Sequence, residues 1–184
     1  MKEEDRLYNS RLARIYLECL RFQFPDIHAD HLPAYAGMTK LEVEDPAHWF
    51  TQEQVDRFHD VLVKETGNEA ISRDVGRYAA SSDGMGLVKR YALGFINPAN
   101  MYVLTGKLIP LLTRGAAIQT QRLGATKVEI IATPYPGVNE KSYQCENRLG
   151  TFESIGLQFS KQYAKVEHPE CFHRGDTRCR YIIA

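Results

Sequence analysis

Two cysteines and two histidines surround one tight turn in His168-Pro169-Glu170-Cys171-Phe172-His173-Arg174-Gly175-Asp176-Thr177-Arg178-Cys179-Arg180-Tyr181. Read as a hairpin with a three-residue Arg174–Asp176 loop, this segment sets Cys171 directly across from Cys179, close enough for a shared metal ion or a disulfide. A two-residue Gly175–Asp176 turn would oppose Phe172 to Cys179 instead. That slip decides whether the two sulfurs share a face, because strand side chains alternate. Cys145, Cys171 and Cys179, with His173 or His168 as a fourth donor, form a thiolate and imidazole set that suits tetrahedral zinc. The spacing contains no C-x-x-C pair, so a structural thiol pair and a redox-sensing pair are the alternatives.

Other side chains could hold a ligand. Glu146-Asn147-Arg148 beside Gly150 could bind a ligand carboxylate, line an interface or form a solvated helix face. Ten tyrosines and eight phenylalanines exceed what a small core needs and would suit an apolar pocket wall. The large side chains fall on three stripes: Phe58 and Leu62; Val88, Tyr91 and Phe95; Met101, Tyr102 and Leu108. Such stripes can equally meet and fill the space. His28, His31, His48 and His59 show no repeated ligand spacing, and nothing selects an axial haem ligand. No nucleophile elbow, phosphate-binding glycine loop or two-histidine zinc-protease motif occurs, so no enzymatic activity is expected.

The elements that must position these residues follow from periodicity and caps. Leu12, Ile15, Tyr16, Cys19 and Leu20 recur at helical spacing, and this helix stops before Pro25 with Cys19 in the core. Asp26 to Trp49 has no sustained period and reads as an irregular connection with apolar anchors. Thr51 to Gln54 is a capping box opening a helix through Val55, Phe58, Val61 and Leu62, with Gly67 as its C-terminal cap. Ile71 to Ala79 and Val88 to Phe95 continue as helical stripes, and Asn97-Pro98 starts a further helix that Pro110 shortens. From Ala117 the pattern turns to β. Ile118–Leu123 and Lys127–Thr133 flank Gly124-Ala125 as one hairpin, Tyr143–Phe159 is helical, and Tyr163–Glu167 with Thr177–Ile183 make a second hairpin. This order predicts an α+β fold with N-terminal helices packed on an antiparallel sheet built from two hairpins, as one domain over 1–184.

Lys+Arg and Asp+Glu both number 23, without like-charge runs, so no nucleic-acid partner is expected. No stretch approaches the roughly 20 apolar residues of a membrane span. The acidic start, followed by an amphipathic helix, argues against secretion and for a cytoplasmic protein, where a disulfide framework is the weaker use of four cysteines. The chain stops at Ile182-Ile183-Ala184 inside an apparent strand, which reads as excision from a longer protein.

The stretch Tyr143-Gln144-Cys145-Glu146-Asn147-Arg148 with Gly150, then His168-Pro169-Glu170-Cys171, Arg174-Gly175-Asp176, Cys179 and Tyr181, resembles the 4-vinyl reductase domain, a bacterial ligand-sensing module. Upstream, Glu44-Asp45-Pro46-Ala47-His48-Trp49-Phe50-Thr51 and Ser72-Arg73-Asp74-Val75-Gly76-Arg77-Tyr78 are similar to the N-terminal sensor region of bacterial histidine kinases and diguanylate cyclases. The resemblance implies a fold shared with haem-nitric-oxide-binding domains and small subunits of the TRAPP complex, with an apolar ligand space between helices and sheet. On that implication Phe58, Leu62, Tyr91, Phe95, Met101 and Tyr102 become candidate ligand-binding residues. The candidate metal set is Cys145, Cys171, Cys179 and His173, with zinc as the cofactor. The motif that holds haem propionates in the nitric-oxide relatives is absent, so haem is not expected. The implied role is a homodimeric, cytoplasmic sensor regulating a C-terminal histidine kinase or diguanylate cyclase. A metal- or tetrapyrrole-binding accessory protein and a ligand-free dimerisation module are the alternatives.

Overall fold

The computed structural model describes residues 6–81, 83–84 and 97–184. A short strand, β1 (Arg6–Asn9), pairs antiparallel with β2 (Trp49–Thr51), Tyr8 against Phe50 and Asn9 against Trp49. Asn9 then caps α1 (Ser10–Gln23), its side chain accepting from the Arg11 N–H and so satisfying a donor that the first helical turn leaves open. The connection expected to be irregular contains two short helices, α2 (Leu32–Tyr35) and α3 (Lys40–Glu44), the latter opened by a Thr39–Glu42 capping box. The expected Thr51–Gln54 box opens α4 (Gln52–Thr66), which ends at Gly67 in the left-handed conformation that glycine adopts without a steric penalty. With α5 (Ile71–Ala79), these helices close over one hydrophobic cluster that includes Leu17, Cys19, Leu20, Phe50, Leu62 and Val75. The stripe of Val88, Tyr91 and Phe95 lies outside the described residues.

The second half is a helix on a sheet. Asn97 caps α6 (Pro98–Leu108), with Pro98 at the first helical position, and Ile109–Leu111 tightens into a 3-10 turn at Pro110. Strands β3 (Ala116–Arg122) and β4 (Val128–Pro134) form the first hairpin, α7 (Ser142–Ser160) follows, and β5 (Val166–Glu170) with β6 (Cys179–Ile183) forms the second. The four strands run antiparallel in the order β3-β4-β6-β5, so the two hairpins join along β4 and β6. The expected architecture of helices on a two-hairpin antiparallel sheet is therefore the observed one. Register shifts between Glu167 and Glu170, where Pro169 has no N–H to give to the ladder.

Helix α7 is buried on both sides. Cys145, Leu149, Phe152 and Ile155 join the core of the sheet, where Phe152 meets Tyr181 edge-on at 5.2 Å. Its other side crosses α5 at two glycines. A β-carbon at Gly76 would run into the Asn147 carbonyl oxygen, and one at Gly150 into that of Arg73, so only glycine permits this approach of two backbones. Arg73 and Arg77 then reach across to the carboxylate of Glu153. Burial alone would raise the Glu153 pKa, but these two guanidinium groups hold it below the ordinary carboxylate range. Among the described residues, no helix is long and apolar enough to cross a membrane.

Candidate functional site

Helix α7 and the terminal hairpin bring three sulfurs together. Cys145 projects from α7, Cys171 ends the extended run of β5, and Cys179 opens β6; all three are buried and their sulfurs lie within 4.8 Å of one another. Neither of the short loops considered from the sequence forms. The Cys171 N–H donates to the Asp176 carboxylate at 2.7 Å, and a 3-10 turn over Phe172–Arg174 with Gly175 at φ +95° fills the connection. Cys171 and Cys179 still share a face. His173 does not join them: the 3-10 turn leaves it exposed, its ring against Phe172. His168 is the nearer imidazole, stacked 4.5 Å from Tyr181, with a buried Nε2 that has no partner among the described residues.

The sulfur environment is polarised. The Cys145 thiol and Cys179 lie 3.3 Å apart, and the Phe172 N–H donates to the Cys179 sulfur at 3.4 Å. Donation from Cys145 comes first in holding the Cys179 pKa far below the usual thiol range; burial opposes it, and His168, the Phe172 amide and Arg148 add to it. The Cys145 thiol is raised in turn, chiefly because it is the donor. A pocket that favours thiolate at one of three converging cysteines can hold a soft metal ion, which requires deprotonated sulfur.

A separate space of about 560 Å³ opens along α7. Its wall combines Leu12, Ile15 and Tyr16 of α1, Val55 of α4, Met101, Leu104 and Leu108 of α6, and Tyr143, Asn147, Arg148 and Phe152 of α7. It therefore lies at the seam between the two halves of the fold. Of the residues expected to bind a ligand, Met101 lines this cavity. Phe58 and Leu62 instead line a smaller neighbouring void, because their helix turns them into the N-terminal core, where Phe58 meets Tyr16 edge-on at 6.1 Å. Tyr102 is buried and donates to the Phe152 carbonyl at 3.1 Å, which ties α6 to α7. Tyr91 and Phe95 lie outside the described residues.

Two polar constructions border the cavity. In the first, Tyr143 donates to Asp56 at 2.8 Å, Gln52 donates to the same carboxylate at 2.6 Å, Tyr8 donates to Gln52, and Gln144 donates to Tyr8. Burial raises the Tyr8, Tyr16 and Tyr143 hydroxyls, Tyr16 to about 12, so all three stay protonated at neutral pH. In the second, Arg148 makes a two-pronged ion pair with Glu140, one prong at 2.9 Å. Burial is the largest single influence and opposes the Arg148 charge, but Glu140 together with Tyr181 and Cys145 outweighs it and raises the pKa. Sequence reasoning singled out Arg148 for a ligand carboxylate and missed Glu140, which the turn at Gly137 returns beneath α7.

The architecture has solved counterparts. An H-NOX protein from S. oneidensis in the Fe(II)NO ligation state is 12% identical, over 96% of this chain and 98% of that one, with a TM-score of 0.68. An oxygen-binding H-NOX domain related to soluble guanylate cyclases is 16% identical, over 95% and 93%, with a TM-score of 0.68. An unliganded Fe(II) H-NOX mutant from K. algicida is 13% identical, over 95% of each chain, with a TM-score of 0.57.

The chain has the H-NOX fold.

No family model and no curated protein matches it. The likeness to the 4-vinyl reductase domain is overturned by these neighbours. Half of the C-terminal residues that suggested it, Cys145, Arg148, Cys171, Cys179 and Tyr181 among them, are interior positions of α7 and the terminal hairpin, where packing constrains them. The expectation against haem is corrected too. Proteins sharing the H-NOX fold with this chain are described by their Fe(II) ligation states and by haem distortion, and a missing propionate motif is too narrow a test against that.

Proposed function

We propose that this chain is a non-catalytic, small-molecule-sensing domain whose ligand occupies the seam cavity. The observation that carries the reading is the place of the 560 Å³ space: its wall is shared by the N-terminal helices and by α6 and α7, so filling it favours one relative arrangement of the halves over another. In the same reading the domain is cytoplasmic and bacterial, pairs with a second copy, and passes its occupancy to a C-terminal histidine kinase or diguanylate cyclase. The thiol cluster serves structurally, with zinc on Cys145, Cys171 and Cys179 clamping the terminal hairpin to α7. His168 replaces His173 as the candidate fourth donor.

Haem is the second reading, because H-NOX proteins share the fold. Among the described residues the cavity wall offers an iron the hydroxyls of Tyr8, Tyr16 and Tyr143 and the thioether of Met101, but no imidazole. The hydroxyls are protonated, whereas an iron-bound tyrosine is ionised. The described wall therefore does not fit a haem iron.

Native mass spectrometry of the purified protein, with thermal-shift measurements on apolar compounds and on haemin, tests both readings. The expected result is one zinc per chain, lost in Cys171→Ser, and a melting temperature that rises with the logarithm of an apolar ligand's concentration. Stoichiometric haemin binding with a visible band would transfer the cavity to the second reading. A protein with neither zinc nor any responsive compound would be a dimerisation module.

A further inference from the structure

We infer that the seam cavity selects neutral ligands over charged ones, and that the Arg148–Glu140 pair is the device that enforces this. The inference rests on the reading of the cavity as a ligand site and names the chemical class that site takes. Arg148 is the one formally charged residue among the described residues of the wall. Its guanidinium already faces both oxygens of Glu140, and the two side chains are 8% and 1% exposed. A carboxylate entering beside it would meet a cation already neutralised, and an ammonium would meet a carboxylate already spent. Either ion would lose its hydration without a partner, which excludes it strongly from an apolar space.

The remaining polar side chains of the wall are neutral and mostly paired internally. Tyr16 shares a hydrogen with Ser72 at 2.9 Å, Thr151 donates to the Asn147 carbonyl at 2.9 Å, and Thr105 donates to the Met101 carbonyl at 2.9 Å. Asn147 differs. Its amide nitrogen donates to Tyr16 and to the Ser72 carbonyl, which fixes the amide and leaves its oxygen without a donor among the described residues. Hydroxyl oxygens that have given their hydrogen can still accept. The wall thus presents acceptors and, at Thr113, a hydroxyl unpartnered among the described residues and free to donate, and it suits an apolar molecule carrying one neutral polar group, such as an alcohol or a primary amide.

The test uses one hydrocarbon skeleton with four head groups: 1-nonanol, nonanamide, nonanoate and nonylammonium, titrated calorimetrically at neutral pH. The expected result is binding of the two neutral probes, with both ions weaker by about 100-fold or more. Nonanoate binding as tightly as nonanol would overturn the inference while leaving the cavity a ligand site. Failure of all four probes would overturn the ligand-site reading, and this inference with it. Glu140→Gln should uncover the Arg148 charge and strengthen nonanoate by about tenfold or more, and adding Arg148→Gln should abolish that gain. A folded Glu140→Gln protein that binds nonanol but gains nothing for nonanoate would remove the ion pair from the account. Should the single variant not fold, the fourfold comparison on the unmodified protein still decides.

Discussion

The thiol cluster and the seam cavity share one helix, with Phe152 and Ile155 bordering both, and are built in opposite ways. The sulfurs come from α7 and the two ends of one hairpin connection, inside a filled core that includes Phe152, Ile155 and Tyr181. The cavity draws its wall from α1, α4, α6 and α7 and leaves open the space between two hydrophobic clusters. A packed interior transmits strain and resists repacking, whereas an open seam lets its boundaries adjust. The contrast assigns fixed geometry to the thiol cluster and adjustable geometry to the seam.

Replacing Arg148 should strain this contrast most. Arg148→Met leaves Glu140 buried with an unpaired charge and should cost about 3–5 kcal/mol in urea denaturation. Zinc binding by the folded fraction should weaken rather than vanish, because Arg148 supplies no sulfur but helps hold Cys179 as thiolate. A cost below about 1 kcal/mol would mean that Glu140 finds water or another partner. Next in size is a pair of glycine substitutions, one where α7 crosses α5 and one in the terminal hairpin. Gly150→Ala forces a methyl against the Arg73 carbonyl and should cost about 3 kcal/mol through overpacking. Gly175→Ala, at φ +95° with open space around it, meets only backbone strain and should cost about 1–2 kcal/mol. The first should also weaken ligand binding; the second should not. Equal effects of both on ligand affinity would erase the distinction between the cluster and the seam.

The cluster and the seam were also unequally legible. Features set by a few adjacent residues could be read directly: the Thr51–Gln54 box, Gly67 as a cap, Asn97-Pro98, the first hairpin and the α7 run. The sulfurs were legible because a hairpin converts sequence spacing into proximity, although the Asp176 carboxylate and the 3-10 turn displaced the short loop and sent His173 outward. Strand β1 was missed because Arg6–Asn9 has no pattern of its own and becomes a strand only against β2. The Thr39–Glu42 box was present in the sequence and passed over amid prolines and glycines. The cavity was located only in part. Phe58 and Met101 carry equally apolar stripes, and only long-range packing sends the first into a core and leaves the second on a wall. Glu140 belongs to a loop with no periodicity, so its pairing with Arg148 was invisible.

The smallest expected effect isolates the seam side through pH. His59 stacks 4.1 Å from Tyr143 and lines the small void beside the cavity, with its Nε2 buried and unpartnered among the described residues. Burial lowers its pKa below the ordinary histidine value, and Asp60 and Asp56 only partly offset this. Above about pH 6.5 the imidazole is neutral in both folded and unfolded chains, and its contribution to stability is fully present. As pH falls, the unfolded chain takes up the proton first, so stability is lost progressively until the lowered folded pKa has been passed. His59→Phe keeps an aromatic ring beside Tyr143 and removes the titration. The urea midpoint of the variant should therefore fall less than that of the parent between pH 7 and 5, while metal retention in the two proteins follows the same pH curve. Parallel midpoint curves would mean that water reaches His59 through the void. A metal curve that shifts with His59→Phe would show that the thiol cluster and the seam are coupled.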